Sequence, residues 1–251
     1  MDLGIEGRVA LVMGASKGIG LGIAGALARE GARVALASRS LERAEAAADG
    51  LDGDAVGFAA DTDDLDRMEA LPGEVATRLG GPVQILVTNT GGPPPGSAQE
   101  HPRAEWETAY RSLVLAPRAL IEAVLPAMKE RSWGRIVNVG SSSTEEVLTH
   151  LALSNTHRMA AVGYFKTLAR EVAGEGITLN TVATGKFATD RLADNAGSLE
   201  AARAAARESV PAQRLGTPDE YGDLVAFLCS ERAGYLTGTV IPLDGGMLRT
   251  P

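Results

Sequence analysis

The sequence predicts a doubly wound α/β fold, in which a parallel sheet of about seven strands carries helices on both faces. Short apolar runs, typical of buried strands, alternate with helical patterns along the whole chain. A glycine-rich turn joins the first of these strands to the first helix. No low-complexity linker or internal repeat divides the 251 residues, so we expect a single domain over residues 1–251.

Each strand is predicted from a short run of mainly apolar residues that ends at polar or turn-forming residues. The predicted strands are Val9–Met13, Arg33–Ala37, Ala55–Ala60, Val83–Thr88, Gly134–Val139, Ile177–Ala183 and Val240–Leu243. Because parallel strands joined by helices end at the same edge of a sheet, the polar residues that follow them are expected to line one crevice.

Helices are predicted where apolar residues recur three and four positions apart. The first helical pattern follows the glycine turn and ends at Gly31. The others are Leu41–Asp49, a helix from about Asp63, about Arg103–Arg131, about Leu151–Ala173, Asp194–Ser209 and Pro218–Ser230. We expect Pro72, followed by Gly73, to kink or break the third helix. Pro117 and Pro126 predict a bend in the long fourth helix.

The composition excludes several classes of function. A net charge of −8 argues against nucleic-acid binding, which requires a basic surface. No apolar run approaches the ~18 residues of a membrane helix, and the N-terminus lacks the pattern of an export signal. Cys229 is the only cysteine, and no Cys/His spacing typical of a metal site occurs. We therefore expect a cytoplasmic protein with no metal, membrane or nucleic-acid partner.

The turn after the first strand has the spacing of a dinucleotide-binding loop. Gly14 lets the chain turn sharply, Gly18 lets a pyrophosphate approach the backbone, and Gly20 lets the helix pack closely on the strand. Ser16 and Lys17 add a hydroxyl and a positive charge to the loop. The alternative is that these glycines end the strand for structural reasons alone. Because a strand precedes the turn and a helix follows it, we favour a phosphate site at the helix N-terminus.

The residues at the tip of the second strand favour NADP(H) over NAD(H). An acidic residue at this position grips the 2′-hydroxyl of the adenosine ribose in NAD-binding proteins, but this chain has Ser38 and Arg39. A guanidinium binds phosphate through two parallel hydrogen bonds, so Arg39, with Lys17 across the gap, suits a 2′-phosphate. The alternative is that both cations are simply solvated.

Four motifs together connect the chain to a known family. They are GASKGIG at Gly14–Gly20, NTGG at Asn89–Gly92, GRIVNVGSS at Gly134–Ser142, and RLGTPDEYGDLVAFLCSERAGYLTGTVIPLDGG at Arg214–Gly246. With them the chain resembles the short-chain dehydrogenase/reductase family over nearly all of its length, and is most like the 3-oxoacyl-acyl-carrier-protein reductase branch. The resemblance implies a Rossmann-type sheet, a nicotinamide cofactor, a small carbonyl or alcohol substrate, and a homotetramer.

The resemblance also implies which residues bind the cofactor. Those implied at the adenosine phosphates are Gly14, Ser16, Lys17, Gly18, Ile19, Gly20, Ser38 and Arg39. Those implied at the adenine, the ribose and the nicotinamide end are Asp61, Thr62, Asn89, Gly91, Arg158 and Thr189. Three of these have purely structural alternatives: Asp61 and Thr189 as helix caps, and Asn89 as a turn former.

The same resemblance points to an altered catalytic centre. Family members carry Tyr-x-x-x-Lys on the fifth helix, a serine after the fifth strand and an asparagine on the fourth helix. The serine is present as Ser141, with Ser142 as an alternative one residue on. The tyrosine and lysine positions hold Ser154 and Arg158. The asparagine position falls at about Leu113.

These replacements change the proton chemistry that the site offers. A phenol with a pKa of ~10, lowered by an adjacent ammonium, exchanges a proton near neutral pH, whereas a serine hydroxyl needs a separate base. Arg158 donates hydrogen bonds to ribose hydroxyls but does not release a proton. His150 and Tyr110 are the nearby candidates for a proton donor, against ordinary surface or packing roles. His157 is expected to point to another side of its helix.

Three functions fit the sequence. The first is an NADP(H)-dependent oxidoreductase that acts on a small carbonyl or alcohol with an altered proton relay. The second is an NADP(H)-binding sensor or partner protein that has lost the chemistry. The third is a cofactor-free lyase or dehalogenase on the same fold, although such proteins fill the nucleotide loop and keep the tyrosine, whereas this chain does the opposite.

Overall fold

Seven parallel strands form the sheet in a computed structural model that describes residues 1–249. In chain order they are β1 (Val9–Met13), β2 (Arg33–Ser38), β3 (Ala55–Ala59), β4 (Ile85–Thr88), β5 (Gly134–Val139), β6 (Ile177–Thr184) and β7 (Val240–Leu243). Their order across the sheet is β3-β2-β1-β4-β5-β6-β7. The order reverses between β1 and β4, and a crevice for ligands is expected beyond the carboxyl ends of these strands. Thr250 and Pro251, the last residues of the predicted domain, lie outside the described residues.

Helices cover both faces of the sheet, so the predicted fold class is confirmed. They are α1 (Gly18–Arg29), α2 (Leu41–Asp49), α3 (Leu65–Leu79), α4 (Arg103–Tyr110), α5 (Ala116–Glu130), α6 (Ala152–Val172), α7 (Asp190–Ala196), α8 (Leu199–Ser209) and α9 (Pro218–Leu228). On one face, α3, α5 and α6 bury an apolar cluster, and on the other α1 and α9 bury a second. None of the helices within residues 1–249 has the length and apolar character needed to cross a membrane.

The predicted break at Pro72 is wrong, because α3 runs without interruption from Leu65 to Leu79. Proline removes one backbone hydrogen bond from a helix interior. On α3 that loss is outweighed by burial, since Met68, Leu71 and Val75 are fully buried on the same side of the helix.

The long helix predicted over about residues 103–131 is helical from Arg103 to Glu130, with α4 and α5 joined by a π-helical turn at Arg111–Leu115. One further helix prediction needs correction. The helix predicted over Asp194–Ser209 is the end of α7 followed by α8. The chain turns between them at Gly197, which has a positive φ of 84°, and the Ser198 side chain accepts a hydrogen bond that caps α8.

The start of α9 is held by reciprocal hydrogen bonds. The Thr217 hydroxyl accepts from the Glu220 backbone N–H (3.2 Å), and the Glu220 carboxylate accepts from the Thr217 N–H (2.8 Å). Arg214 donates two hydrogen bonds to the same carboxylate. These bonds, with that from Arg214 the largest cause, lower the pKa of Glu220 to about 2.

Replacing Glu220 with Gln is expected to lower the free energy of unfolding by up to about 1 kcal/mol at pH 7, because the pair with Arg214 is exposed to solvent. Since the pKa of Glu220 is lower in the folded state, its contribution is complete above its usual pKa of 4.5. The contribution is lost as the pH falls to about 2. Urea unfolding at pH 7 and pH 3 checks this, with Glu200→Gln in the first turn of α8 as the control. The prediction is contradicted if the difference in unfolding free energy between the native protein and Glu220→Gln is larger at pH 3 than at pH 7.

Candidate functional site

The glycine turn between β1 and α1 forms a cradle that only glycines fit. Gly14 and Gly18 have positive φ angles of 59° and 58°, which side chains other than glycine rarely adopt. A Cβ on Gly20 would collide with the Gly14 carbonyl and the Asn89 side chain. Asn89 in turn donates from Nδ2 to the Gly14 carbonyl (3.2 Å), which fixes the end of β4 against the turn. No side chain caps the N-terminus of α1, so its first backbone N–H groups are available to an anion such as phosphate.

The other residues of the turn flank this cradle. Ser16 and Ile19 are half-buried, and Ile19 packs against the apolar cluster beneath α1. Lys17 is exposed, and its Nζ lies 2.9 Å from Asp190 Oδ2 at the start of α7. This ion pair crosses the crevice to α7. Lys17 therefore contacts Asp190 and does not lie where it was predicted to help bind a 2′-phosphate.

The tip of β2 presents one free cation. Arg39 is exposed and forms no ion pair within residues 1–249. Ser38 is 8% exposed, and its hydroxyl turns inward to donate to the Ser40 carbonyl (2.8 Å). The position directly after Ser38 holds Arg39 and not a carboxylate, so no acidic residue there repels a 2′-phosphate.

Helix capping was the alternative role for Asp61 and Thr189, and only Thr189 caps a helix. Asp61 accepts from the Asp63 N–H (3.2 Å) in the turn after β3, whereas the cap of α3 is Asp64. Asp61 and the half-buried Thr62 therefore stand at the crevice edge without capping the helix. Thr189 does cap α7, accepting from the Leu192 N–H (3.3 Å), and it lies against the glycine turn at Gly18. Gly91, after β4, is exposed.

Ser141 follows β5 and presents its hydroxyl at the same edge of the sheet. Its Oγ accepts from the Ser143 N–H (3.1 Å), which leaves the hydroxyl proton free to be donated. Ser142, the alternative from the sequence, is 2% exposed and lies inside a 3₁₀ turn. Ser141 is therefore the more accessible of the two hydroxyls.

Ser154 and Arg158 lie one turn apart near the start of α6 and so share one side of that helix. Ser154 is 8% exposed. Arg158 donates from Nη1 to the Val139 carbonyl at the end of β5 (2.8 Å). Burial, and then the charge of Arg191, lower the pKa of Arg158 to about 10. The guanidinium therefore stays protonated at neutral pH and acts as a hydrogen-bond donor, not as an acid.

The other proton candidates occupy different places. His157 is 6% exposed, and its ring packs against Trp106 at a centroid distance of 5.5 Å and against Tyr110 at 6.2 Å. Tyr110 itself is 46% exposed. His150 is exposed in the loop before α6, with a positive φ of 61°. Leu113, at the predicted asparagine position, is buried within the π-helical turn, a feature often found at functional sites.

Two polar clusters near this edge were not predicted from the sequence. His101 Nδ1 lies 2.6 Å from Glu105 Oε2, and its side chain is buried against Gly96. In the sequence, Glu105 follows His101 by four positions, and this spacing could have indicated that the two side chains interact. The second cluster pairs the Tyr221 hydroxyl with Thr184 Oγ1 (2.9 Å), and burial raises the pKa of Tyr221 well above its usual range. Among the described residues, no group of three His, Cys, Asp or Glu side chains could hold a metal ion.

The sequence matches known proteins over nearly its whole length. Residues 14–248 match the family model described as enoyl-(acyl carrier protein) reductase. The 3-oxoacyl-(acyl-carrier-protein) reductase FabG of Vibrio cholerae serotype O1 is 36% identical over 245 residues, which cover 98% of this chain and 99% of that protein. FabG of Escherichia coli K12 is 35% identical over 248 residues, with coverage of 98% and 99%.

Solved structures agree with this match. L-sorbose reductase from Gluconobacter frateurii, complexed with NADPH and L-sorbose, has a TM-score of 0.94 and 31% identity, with both chains covered completely. A 3-oxoacyl (acyl-carrier-protein) reductase from Agrobacterium tumefaciens C58 with NADP bound has a TM-score of 0.91 and 29% identity, with coverage of 98% and 96%. On this match in sequence and fold, the chain belongs to the short-chain dehydrogenase/reductase family of NAD(P)-dependent reductases.

Proposed function

We propose that the protein is an NADP(H)-dependent oxidoreductase that acts on a small carbonyl or alcohol. The observation that carries the proposal is the glycine cradle at β1 together with the unpaired Arg39 at the tip of β2. The cradle fits a pyrophosphate, and a free guanidinium one strand away fits a 2′-phosphate. The structural relatives that hold NADPH or NADP support this reading.

Each end of the cofactor has residues to hold it. The glycine turn, with Ser16, binds the phosphates, and Arg39 binds the 2′-phosphate. Asp61 and Thr62 border the adenine. Asn89, Gly91 and Arg158 border the ribose, and Thr189 borders the nicotinamide end. When bound, the cofactor supplies or accepts the hydride.

The chain's own groups orient the substrate oxygen but do not protonate it efficiently. Ser141 and Arg158 donate hydrogen bonds, and the charge of Arg158 stabilises an oxygen that becomes negative as hydride is transferred. Ser154 has no nearby ammonium to make it acidic, and Arg158 keeps its proton. Water must therefore supply the proton, and we expect slow turnover on the usual 3-oxoacyl substrates.

A second candidate is an NADP(H)-binding sensor or partner protein without catalytic activity. It is favoured by the joint replacement of the tyrosine, lysine and asparagine positions by Ser154, Arg158 and the buried Leu113. Both candidates share the cofactor site, and they differ only in whether a carbonyl substrate is turned over.

NADPH titration followed by a carbonyl screen tests the proposal and separates the two candidates. The native protein is expected to bind NADPH more tightly than NADH. We expect it to oxidise NADPH with a 3-oxoacyl thioester far more slowly than the ~10 s⁻¹ typical of enzymes. Binding without turnover of any carbonyl favours the sensor. Turnover near that typical rate contradicts our assignment of Ser154 and directs attention to His150 and Tyr110. Equal affinity for the two dinucleotides overturns the NADP(H) preference.

We also propose a homotetramer with two-fold symmetry, in which α4 to α6 pair across one interface and β7 with the turn after it pairs across another. Tyr110 and Met159 lie exposed on α4 and α6, and β7 is an edge strand of the sheet. Covering these groups is the physical gain of assembly. Sedimentation at micromolar concentration is expected to show the tetramer, and a stable monomer contradicts it.

A further inference from the structure

Two arginine side chains lie at the edge of the sheet beyond β4 and β5. Arg158 is held at the end of β5 by its hydrogen bond to the Val139 carbonyl. The Arg191 guanidinium lies directly over Gly92, where a Cβ would collide with it, and Nη2 is 3.5 Å from the Pro93 carbonyl. Gly92 and Pro93 follow β4, which pairs with β5. Both cations therefore face the same part of the crevice.

Neither arginine has a negative partner. Within residues 1–249, no carboxylate forms an ion pair with Arg158 or Arg191, and the nearby Asp190 is paired with Lys17. Burial lowers the pKa of both guanidinium groups, and the charge of Arg191 lowers the pKa of Arg158 further. Two neighbouring cations that lose solvent without a counter-charge are unfavourable, so an anion that binds between them is strongly favoured.

The hydrogen-bonding capacity of the pair is also largely unused. A guanidinium has five N–H donors, whereas Arg158 and Arg191 each make one hydrogen bond to a backbone carbonyl. The planar array of donors matches the two oxygens of a carboxylate. Arg191 is only partly covered by protein, so a ligand from solution can reach it.

We propose that Arg158 and Arg191 form a subsite for the carboxylate of the substrate, so that the substrate is an oxo acid or hydroxy acid. This rests on the proposed oxidoreductase function and narrows its substrate class. The phosphates of the cofactor are the other possible anions. However, the phosphate cradle lies at β1, which is two strands away from β5, or about 10 Å. The pair therefore lies beyond the phosphates, where the donors that Arg158 leaves unused serve the ribose as well as the substrate.

Matched pairs of acids and methyl esters test the subsite. At pH 7 with NADPH, the kcat/KM for 3-oxobutanoate is expected to be about ten- to a hundredfold above that for its methyl ester. The same preference over the methyl ester is expected for 2-oxo and 4-oxo acids whose length fits the site. Arg191→Met is expected to remove this preference by lowering kcat/KM for the acid alone, while leaving the NADPH Kd unchanged. Arg203→Met, on the exposed side of α8, is the matched control and is expected to change neither value.

A binding measurement makes the test independent of turnover. Malonate, a dianion that is not reduced, is expected to raise the Tm of the NADPH-loaded native protein more than chloride at equal ionic strength. It is expected not to do so with Arg191→Met. Equal kcat/KM for acid and ester, or a malonate effect that survives Arg191→Met, overturns the subsite. If Arg191→Met instead raises the NADPH Kd and slows acid and ester alike, the arginines serve the cofactor. If the native protein does not bind NADPH, the proposed function is wrong. The increase in Tm with malonate can then be measured without NADPH, and its loss in Arg191→Met still tests whether the arginines bind a carboxylate.

Discussion

Replacing Ser154 with Tyr and Arg158 with Lys in one variant is expected to raise kcat for a 3-oxoacyl thioester by about 10²–10⁴-fold. The two positions are one helical turn apart at the start of α6, so the new phenol and ammonium lie on the same side of the helix. The ammonium lowers the pKa of the phenol, which then exchanges a proton with the substrate oxygen near neutral pH. Stopped-flow or steady-state oxidation of NADPH measures the effect.

The control for this experiment is the double variant Ser154→Phe with Arg158→Lys, which adds the same ring without the hydroxyl. It is expected to gain no activity. Both double variants are expected to keep the NADPH affinity of the native protein within about threefold, because Lys at position 158 still donates hydrogen bonds to the ribose and the phosphate cradle is untouched. A gain of similar size with Phe contradicts the proton-transfer explanation. If the Tyr variant binds NADPH normally and gains nothing, the missing proton donor is not what limits the native protein.

Replacing Arg39 with Ala is expected to weaken NADPH binding by about 1.5–3 kcal/mol, the range for a hydrogen bond to a charged group. Arg39 is exposed at the tip of β2 and has no carboxylate partner in the described part of the chain, so the substitution disrupts no internal contact that the structure records. NADH lacks the 2′-phosphate, and its Kd is expected to change little. Fluorescence titration of both dinucleotides measures the difference.

Arg43→Ala provides a matched control, because Arg43 is an exposed arginine on α2, close to the same end of β2. It is expected to leave both affinities unchanged apart from a small electrostatic effect that disappears with added salt. If Arg39→Ala weakens the binding of NADH as much as that of NADPH, the Arg39 side chain does not bind the 2′-phosphate. If it weakens neither, the preference must come from Lys17 after its ion pair with Asp190 opens.

These two predictions concern separate parts of the molecule. The cofactor cradle at β1 retains the glycines that its geometry requires, whereas the chemistry at α6 has changed at both positions that would manage the proton. A protein can therefore bind its cofactor fully and still react slowly, because orientation and proton transfer contribute independently to the rate.

The sequence alone was sufficient for the sheet and the glycine turn. Val9–Met13 is predicted and observed with the same bounds, because a strand buried on both faces appears as a continuous apolar run. Gly134–Val139 also has its predicted bounds, although Arg135 and Asn138 interrupt its apolar residues. The positive φ angles at Gly14 and Gly18 follow from the local turn between a strand and a helix. Likewise, the spacing of Ser154 and Arg158 already places them on one side of a helix. All of these features depend on residues that are near one another in the chain.

Tertiary structure decided what depends on residues that are far apart. Burial of α3 against the sheet keeps the helix intact at Pro72, although local propensity predicts a break or a kink. The order of the strands and the packing of α6 and α7 bring Arg158 and Arg191 to one edge and pair Lys17 with Asp190 across 173 positions. No local pattern encodes such contacts, because they depend on which distant segments of the chain pack beside one another.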